Sequence, residues 1–316
     1  MSQLSDQHVL VTGGAGFVGS RLVHRLTPDT DVVVFDSLTT GTRDRLPETV
    51  SLVEADVREQ EGVDAAVRDA DVVFHEAALV SVGASVEDPS RSHDINIEGT
   101  LNVLEAARRH DVRVVLASSA AIYGHPGTVP VNETHPKEPT SPYGLEKLAC
   151  DHYARLYHDL YGVETVALRY FNVYGPGQTG GQYAGVMSVF IEQALSDGPI
   201  TVDGDGEQTR DFVFVDDVVE ANVLAAQTEA VGQAYNIATG SSISIRELAE
   251  FVQEFTDSDA DIVHRDPRPG DIEHSKADIS RARETLGYEP TVSISEGLER
   301  TIEWVENRGY TGGRSL

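Results

Sequence analysis

The 316-residue chain has one cysteine, three lysines and no long apolar run, and each shortage excludes a class of protein. The lone Cys150 cannot form an internal disulfide, which argues against a disulfide-stapled secreted module. No apolar stretch approaches the roughly 20 residues that a transmembrane helix needs, and residues 1–6 lack the regions of a signal peptide. No Cys/His cluster has metal-binding spacing, so we expect a cytoplasmic protein without a metal site or a membrane partner.

Positive charge is also scarce. Only 24 Lys and Arg residues stand against 52 Asp and Glu, a formal net charge of −28. The acids are spread along a chain that is 40% hydrophobic, unlike a disordered acidic tail. An acidic, lysine-poor surface is typical of a halophilic protein, because concentrated salt screens its self-repulsion. It also disfavours nucleic acid as a partner.

Apolar runs alternate with helical patterns in the first half. Valine-rich runs of the kind buried on both faces of a sheet are His8–Thr12, Asp31–Phe35, Ser51–Glu54, Val72–His75, Arg113–Ala117 and Glu164–Tyr170. Helical periodicity follows at Phe17–Leu26, Asn96–His110 and Gly144–Tyr161. The alternation predicts an α/β fold with a doubly wound parallel sheet of the Rossmann type.

The second half is less regular and is expected to hold the substrate. Loops are predicted at Gly175–Gly185 and Asp203–Thr209, helices near Val186–Leu195, Ile243–Phe255 and Ser293–Asn307, and a frayed tail at Thr311–Leu316. We predict a dinucleotide-binding domain of residues 1–172 plus about 208–238. Residues from about 173–207 and 239–316 would then form a smaller, discontinuous α/β domain for the substrate.

A glycine-rich segment, Gly13-Gly14-Ala15-Gly16-Phe17-Val18-Gly19, joins the first strand to the first helix. Glycines there permit a tight turn and close approach of a pyrophosphate to the helix N-terminus. An ordinary glycine-rich turn is the alternative, but Asp36 at the end of the second strand favours a dinucleotide. Its carboxylate would bind the ribose hydroxyls and repel a 2′-phosphate, which favours NAD over NADP. Arg43 and Arg45 lie close by, either as loop surface or as partners of such a phosphate.

Two further segments carry the chemistry. Ser118-Ser119-Ala120-Ala121 follows the fifth strand, and Tyr143 precedes Lys147 by four residues, so both can point to one site from a helix. Tyrosine ordinarily ionises near pH ~10, so it acts as a base only where positive charge stabilises the phenolate. Lys147 and an oxidised nicotinamide can both supply that charge, and Ser119 can relay the proton. The alternative is a solvent-facing helix pair.

With these motifs the chain resembles the extended short-chain dehydrogenase/reductase family, and within it the UDP-hexose 4-epimerases. The resemblance covers the glycine segment and Asp36, together with Asp56-Val57, His75–Ala78, Asn96–Thr100, Ser118-Ser119, Tyr143 and Lys147, Arg169–Pro176, Thr209–Phe212 and Arg268–Asp271. It implies 4-epimerisation of a UDP-sugar with bound NAD, through a 4-keto intermediate. It also implies a homodimer joined through helices 96–110 and 144–161.

The resemblance implies a role for each matching position. The catalytic residues would be Ser119, Tyr143 and Lys147. The NAD-binding residues would be Gly13, Gly16, Phe17, Val18, Gly19, Asp36, Ser37, Asp56, Val57, Ala77, Ala78, Asn96, Ala117, Tyr143, Lys147, Tyr170 and Phe171. The substrate-binding residues would be Ser81, Ser119, Asn172, Gly185, Val186, Thr201, Arg210, Arg268, Asp271 and Ser275. For Asp56 a helix cap, and for each arginine a surface ion pair, is the alternative interpretation.

Departures from sister enzymes favour the epimerase. The family's dehydratases carry Asp-Glu after the catalytic Ser/Thr and its decarboxylases a glutamate, whereas Ala120 and Ala121 cannot move protons. Ser275 stands where glucose-restricted epimerases have a tyrosine, so the pocket is expected to admit N-acetylated sugars, unless Ser275 is only loop surface. Asp203 lies near the expected uracil and leaves the base open. Another NAD-dependent sugar-nucleotide enzyme and a catalytically inactive NAD sensor remain alternatives.

Overall fold

The computed structural model describes residues 4–5, 7–178, 185–196, 198–268 and 270–307, so the predicted tail at 311–316 and most of the predicted loop at 175–185 lie outside the described residues. The strands are β1 His8–Thr12, β2 Asp31–Asp36, β3 Ser51–Glu54, β4 Val72–His75, β5 Arg113–Ser119, β6 Thr165–Tyr170, β7 Asn172–Tyr174, β8 Ile200–Asp203, β9 Thr209–Arg210, β10 Phe212–Phe214, β11 Gln233–Ile237, β12 Ile243–Ser244 and β13 Ile262–Arg265. The helices are α1 Phe17–Leu26, α2 Gln60–Val67, α3 Val82–Glu87, α4 Pro89–His93, α5 Gly99–His110, α6 Pro142–Tyr161, α7 Val186–Leu195, α8 Val215–Gln227, α9 Ile245–Phe255, α10 Ser280–Leu286 and α11 Ile294–Asn307.

Seven strands form one parallel sheet in the order β11-β6-β5-β4-β1-β2-β3. Strands β4 and β6 are buried along their whole length, as is expected of mainly apolar strands that are covered on both faces. The predicted doubly wound Rossmann sheet is therefore confirmed. Strand β1 lies between β2 and β4, and the strand order reverses there, which is where such sheets bind ligands at their carboxyl ends.

Helices cover both faces of the sheet. Side chains of α1, α8 and α10 pack into one apolar core with β1, β2 and β6, and those of α2, α5 and α6 pack on the opposite face. A further core is built by α7, α9 and α11 with β8 and β10. Residues Ala277–Tyr288 contribute to the first of these cores rather than to the last, which the predicted domain boundaries do not anticipate. The division into two domains itself stays a prediction.

Several element boundaries differ from the sequence prediction. The helix expected from Ile243 begins at Ile245, because Ile243 and Ser244 pair with β9 and Ser244 then caps α9 in a capping box with Glu247. The helix expected from Asn96 starts as a π-helical turn, Asp94–Glu98, and becomes α-helical at Gly99. The loop expected over 203–209 is shorter, since β8 includes residue 203 and β9 begins at residue 209.

Candidate active site

The glycine segment forms a tight turn against the end of β4. Gly13 has a φ of +69°, and a Cβ there would lie 2.6 Å from the backbone nitrogen of Ala77. A Cβ on Gly19 would lie 2.2 Å from the Gly13 carbonyl oxygen. At Gly16, by contrast, only the Gly13 carbonyl comes within 4 Å, at 3.1 Å. The turn is thus closed toward the protein and open at Gly16, as a bound pyrophosphate would need.

Helix α1 starts directly after this turn with Phe17 and Val18. Gly16 occupies the N-cap position and provides no side chain to accept from the first N–H groups of the helix. These unsatisfied donors, together with the helix dipole, make an anion site. The residues present therefore fit the pyrophosphate of a dinucleotide.

Asp36, the last residue of β2, is fixed beside the same turn. One carboxylate oxygen accepts from the backbone N–H of Ala15 at 2.9 Å, and the other from Leu38 at 2.8 Å. Only 8% of Asp36 is exposed. The following Ser37 shares a 2.9 Å hydrogen bond with Thr39, and a short turn at Arg43–Arg45 contains no buried residue. The carboxylate thus stands where the adenosine ribose of a dinucleotide belongs in this fold.

Asp56 is engaged locally, and the alternative that it caps a helix is wrong. Helix α2 begins at Gln60 with Glu59 at its N-cap position. The carboxylate of Asp56 instead accepts from the backbone N–H and the guanidinium of Arg58, the latter at 2.7 and 2.9 Å. The Arg58 side chain is also the main cause of the lowered pKa of Asp56. The neighbouring Val57 is buried against Gly99.

The two catalytic candidates on α6 are both buried. Ser141 caps the helix, its hydroxyl accepting from the N–H of Gly144 at 3.1 Å. Lys147 donates from Nζ to the carbonyl of Ala117 at 2.8 Å, which ties it to the end of β5. Tyr143 and Lys147 are only 8% and 5% exposed. The alternative interpretation, a solvent-facing helix pair, is therefore wrong.

Ser119 lies at the tip of β5, close to the start of α6. Its hydroxyl accepts from the N–H of Ala121 at 3.1 Å. A Cβ on Gly144 would lie 2.7 Å from the Ala121 carbonyl, so this glycine allows the helix to pack directly on the segment after Ser119. The fold thus brings the segments that carry Ser119, Tyr143 and Lys147 together.

Three supporting residues escaped the sequence analysis. Ser85 accepts from the backbone N–H of Tyr143 at 3.1 Å, and Glu146 accepts from Ser92 at 2.6 Å. Glu146 also accepts from Nδ2 of Asn96 at 2.7 Å, while Oδ1 of Asn96 accepts from the N–H of Leu79. Asn96, expected to line the cofactor cleft, is 1% exposed and uses its amide to join α6 to the segment after β4. No sequence pattern indicates these hydrogen bonds, because they join polar groups that become buried together only in the folded chain.

A buried polar cluster underlies the end of β4. His75 shares hydrogen bonds with Thr12 at 2.7 Å and Thr100 at 3.0 Å. Tyr170 donates to Glu76 at 2.7 Å and accepts from Asn222. Burial, reinforced by the charge of the nearby lysine on α6, lowers the pKa of His75 to about 3. Burial raises the pKa of Glu76 to about 7.

Behind Ser118, an ion pair fixes α6 to the sheet. Arg169 donates from Nε and Nη2 to the two carboxylate oxygens of Asp151, at 2.8 and 3.0 Å. Burial opposes ionisation of Asp151, but the Arg169 hydrogen bonds and charge lower its pKa. Ser118 completes the cluster by donating to Asp151 at 3.3 Å. Because Asp151 lies one turn after Lys147, this pair fixes the helix that carries the catalytic candidates.

The two arginines expected to hold a diphosphate lie on a cleft of about 860 Å³ or at its edge. Arg268 pairs with Asp203 at 3.0 Å. Arg210 pairs with Asp271 and donates to the carbonyls of residues 209 and 272. Both arginines thus form ion pairs in this structure, as the alternative interpretation proposed. Substrate phosphates would have to compete with these carboxylates.

The other expected substrate residues are not among the residues that line this cleft, and their contacts are made with other parts of the chain. Asn172 donates to the carbonyl of Asp211, Thr201 exchanges two hydrogen bonds with the side chain of Gln193, and Ser275 donates its N–H to the Thr209 carbonyl. Ser81 caps α3, Gly185 and Val186 open α7, Ala77 and Ala78 follow β4, and Phe171 follows β6 as a buried residue.

Asp211 is a structural residue that the sequence analysis passed over, although its motif was noticed. Its carboxylate accepts from the N–H groups of Thr239, Gly240 and Ala277 and from the Thr239 hydroxyl. It is fully buried. Asp211 therefore joins the strand of Arg210 to the segment that carries Ser275.

The described residues contain neither a candidate metal site nor a candidate membrane-spanning helix. No group of three or more His, Cys, Asp or Glu side chains in these ranges is arranged to hold a metal ion. In the same part of the chain, no helix combines the length and apolarity needed to cross a membrane.

Comparison with known proteins agrees with this geometry. The model of the NAD dependent epimerase/dehydratase family matches residues 9–238. The UDP-glucose 4-epimerase of Mycolicibacterium smegmatis is 38% identical over 95% of this chain and 98% of its own length. UDP-glucuronic acid decarboxylase 1 of Arabidopsis thaliana is 35% identical, over 95% of this chain and 70% of its own.

Solved structures resemble the chain over nearly its full length. The UDP-N-acetylglucosamine 4-epimerase of Methanobrevibacter ruminantium, in complex with UDP-N-acetylmuramic acid, has a TM-score of 0.93 and 36% identity, covering 96% of this chain and 99% of its own. The UDP-glucose 4-epimerase of Thermotoga maritima, with UDP-glucose, has a TM-score of 0.92 and 37% identity, covering 95% and 99%.

Proposed function

Because the chain belongs to the NAD-dependent epimerase/dehydratase family and uses NAD as its cofactor, we propose that it is a UDP-hexose 4-epimerase. The observation that carries the proposal is the buried pair on α6, with Lys147 anchored to the Ala117 carbonyl at the end of β5 and Tyr143 buried one turn before it. Ala120 and Ala121 add no proton-transfer group beside them. Simple oxidation and reduction at one carbon needs no further acid or base.

In the proposed mechanism, Tyr143 and Lys147 of α6 take up and return one proton. NAD, when bound, supplies a reversible hydride acceptor for the sugar C4. The Tyr143 phenolate, stabilised by Lys147, takes the proton of the 4-hydroxyl, while Ser119 holds that oxygen by a hydrogen bond. Once the 4-keto sugar has turned so that hydride would return to the opposite face of C4, Tyr143 returns the proton to the same C4 oxygen. The protein would thereby start and end with the same cofactor.

Arg210 and Arg268 would hold the UDP diphosphate in exchange for Asp271 and Asp203. Planar guanidinium groups bind phosphate oxygens in pairs, and charge-assisted hydrogen bonds of this kind are among the stronger ones. The remaining cofactor and substrate assignments made from the family resemblance belong to the same proposal.

A product assay separates the epimerase from its sister activities. The purified protein would be incubated without added NAD, once with UDP-glucose and once with UDP-glucuronic acid, and the sugars identified by chromatography. We expect UDP-galactose from the first and no release of CO₂ from the second. Tyr143→Phe should lower kcat by about 10²–10⁴, the usual contribution of a general base. Stable 4-keto product, released NADH or a pentose product would refute the proposal.

We also propose that the pocket admits N-acetylated sugars, because Ser275 is small and is 9% exposed beside Thr209. A relative of the same fold is named for its action on UDP-N-acetylglucosamine. Ser275→Tyr should therefore remove activity on the N-acetyl substrate selectively, while Ser275→Ala, the matched control, preserves both activities. Equal behaviour of the two variants on both sugars would contradict this assignment.

A homodimer in the cytoplasm completes the proposal. Helix α6 exposes large apolar side chains along one side: Leu145, Tyr153, Leu156, Leu160 and Tyr161. We propose that a second copy of the chain covers them, since exposed apolar stripes of this length usually mark an interface. Leu156→Glu should convert the dimer to a monomer in light scattering, whereas a wild type that is already monomeric would refute it.

A further inference from the structure

A second cavity, of about 360 Å³, lies between α6, the start of β11, the segment 133–137 and α10. Four cationic side chains line it: Lys137, Arg155, Arg169 and Arg281. The chain has only 24 Lys and Arg against 52 acids, so this is an unusual concentration of positive charge. The cavity shares no lining residue with the proposed catalytic, cofactor or substrate positions.

The single lysine of this cavity is held by neutral groups. Lys137 donates from Nζ to the backbone carbonyls of Glu133 and His135, at 2.7 and 2.8 Å. An ammonium group has three N–H donors, so one remains for a ligand. Burial and the charge of Arg169 lower the pKa of Lys137. Arg155 and Arg281 act on the lysine in the same direction as Arg169, whereas Asp151 opposes them, and an anion in the cavity would stabilise the ammonium group.

The arginines provide a second and a third donor group. Arg281 lies 3.8 Å from the Glu133 carboxylate, which is beyond hydrogen-bond distance, and its side chain is 38% exposed. Its guanidinium is thus available to an incoming oxygen ligand. Arg155 is held on the wall by two hydrogen bonds from Nε and Nη2 to Asp151. The acids that line the cavity, Glu133 and Asp159, offset part of the positive charge.

We propose that this cavity binds a phosphate dianion, through Lys137, Arg155 and Arg281. Guanidinium groups match the spacing of phosphate oxygens, and a lysine adds a compact point charge. A phosphate dianion presents several oxygens and two charges to these donors, whereas a chloride ion presents one atom and one charge. The volume leaves room beside the phosphate, so both free phosphate and a phosphate monoester fit this chemistry.

Calorimetric titration of the NAD-loaded protein with inorganic phosphate, at constant ionic strength in KCl, tests the site. We expect one binding event that Lys137→Gln and Arg281→Gln each weaken by about tenfold, the effect of one charge-assisted hydrogen bond. Arg68→Gln, which removes an exposed cation paired with Asp64 on α2, should leave binding unchanged. A parallel titration with a hexose phosphate distinguishes the two sources, because tighter binding of the monoester shows that the rest of the cavity is used.

Two controls keep the result interpretable. Arg268→Gln should not change phosphate affinity, whereas loss of binding in that variant would assign the ion to the substrate cleft and overturn the proposal. Unfolding temperatures without phosphate show whether each variant is folded, and phosphate should raise that temperature in the wild type by mass action. Should Lys137→Gln fail to fold, the exposed Arg281 carries the test. Equal phosphate affinity in Arg281→Gln, Arg68→Gln and the wild type would refute the site.

Discussion

The neighbours His75 and Glu76 should give the protein opposite pH dependences that two substitutions can separate. Glu76 is half-buried, and desolvation raises its pKa from 4.5 to about 7 in the folded chain. Between these values the unfolded chain releases its proton first, so stability falls as pH rises. The folded and unfolded pKa values differ by about 2.5, and each pH unit between them corresponds to about 1.4 kcal/mol. The free energy of unfolding therefore falls by about 3 kcal/mol across this interval. Glu76→Gln cannot ionise and should lack this loss.

His75 acts in the reverse direction. Its pKa falls from 6.5 to about 3, so the unfolded chain takes up a proton first as pH falls through that interval. Stability is then lost on the acid side, by about 5 kcal/mol over the full range, and His75→Gln should remove that loss. In the wild type the two slopes cancel between pH 4.5 and 6.5. The stability of the wild type attributable to this pair is therefore greatest in that window.

The assay is urea unfolding of wild type and variants from pH 4.5 to 8 in molar KCl, which screens surface charges but not buried ones. Gln leaves one buried amide group unpaired, which adds a pH-independent difference in stability between each variant and the wild type. The slope of the difference against pH is therefore the readout. For Glu76→Gln the difference should rise with pH, and for His75→Gln it should rise toward acid. Exposed Glu303→Gln is the control. A flat difference for Glu76→Gln would refute the reasoning.

Three further perturbations follow from the cofactor and substrate sites. Gly19→Ala should abolish NAD binding, because its Cβ would lie 2.2 Å from the Gly13 carbonyl oxygen. The control is Gly62→Ala, whose Cβ would lie 3.8 Å from its nearest neighbour. This variant should stabilise α2 by about 0.5–1 kcal/mol in thermal unfolding. Asp36→Ala should weaken NAD at least about tenfold in a fluorescence titration; unchanged affinity would contradict the ribose assignment. Raising KCl from 0.1 to 1 M should lower KM for UDP-glucose, because the acid-lined cleft repels a diphosphate until salt screens the charges. A steady rise of KM with salt would contradict this expectation.

Much of the fold could be predicted because its strands are buried on both faces. Such strands are mainly apolar, and β1 and β4 have the predicted bounds. Strand β3 also has the predicted bounds, although it lies at the edge of the sheet and is largely exposed. Strand β11, Gln233–Ile237, was missed because glutamine, tyrosine and asparagine interrupt its sequence. Asn236 is tolerated there because it donates to the carbonyl of Val131 and accepts from Tyr123. That compensation is made by distant residues and is invisible in a local pattern.

The candidate site divides in the same way. The glycine turn and the pair on α6 follow from spacing along the chain, since each is a local arrangement. Ser85 lies 58 residues from Tyr143, and Glu146 lies 50 residues from Asn96, so only the folded chain reveals these partners. The engagement of Arg268 by Asp203 was equally hidden. Local sequence thus predicts which groups can react, and tertiary packing decides how they are held.

One physical constraint explains why the site lies where it does. In five strands of the sheet the final residue is polar, while the residues before it are mainly apolar: Thr12, Asp36, His75, Ser119 and Tyr170. Helices cover both faces, so a polar side chain within a strand needs a buried partner, whereas one at the strand end can face a cleft. Parallel pairing aligns all five ends on one edge. The requirement for an apolar interior therefore places the reactive groups together at the carboxyl ends of the strands. The opposite edge of the sheet has no comparable reason to become a site.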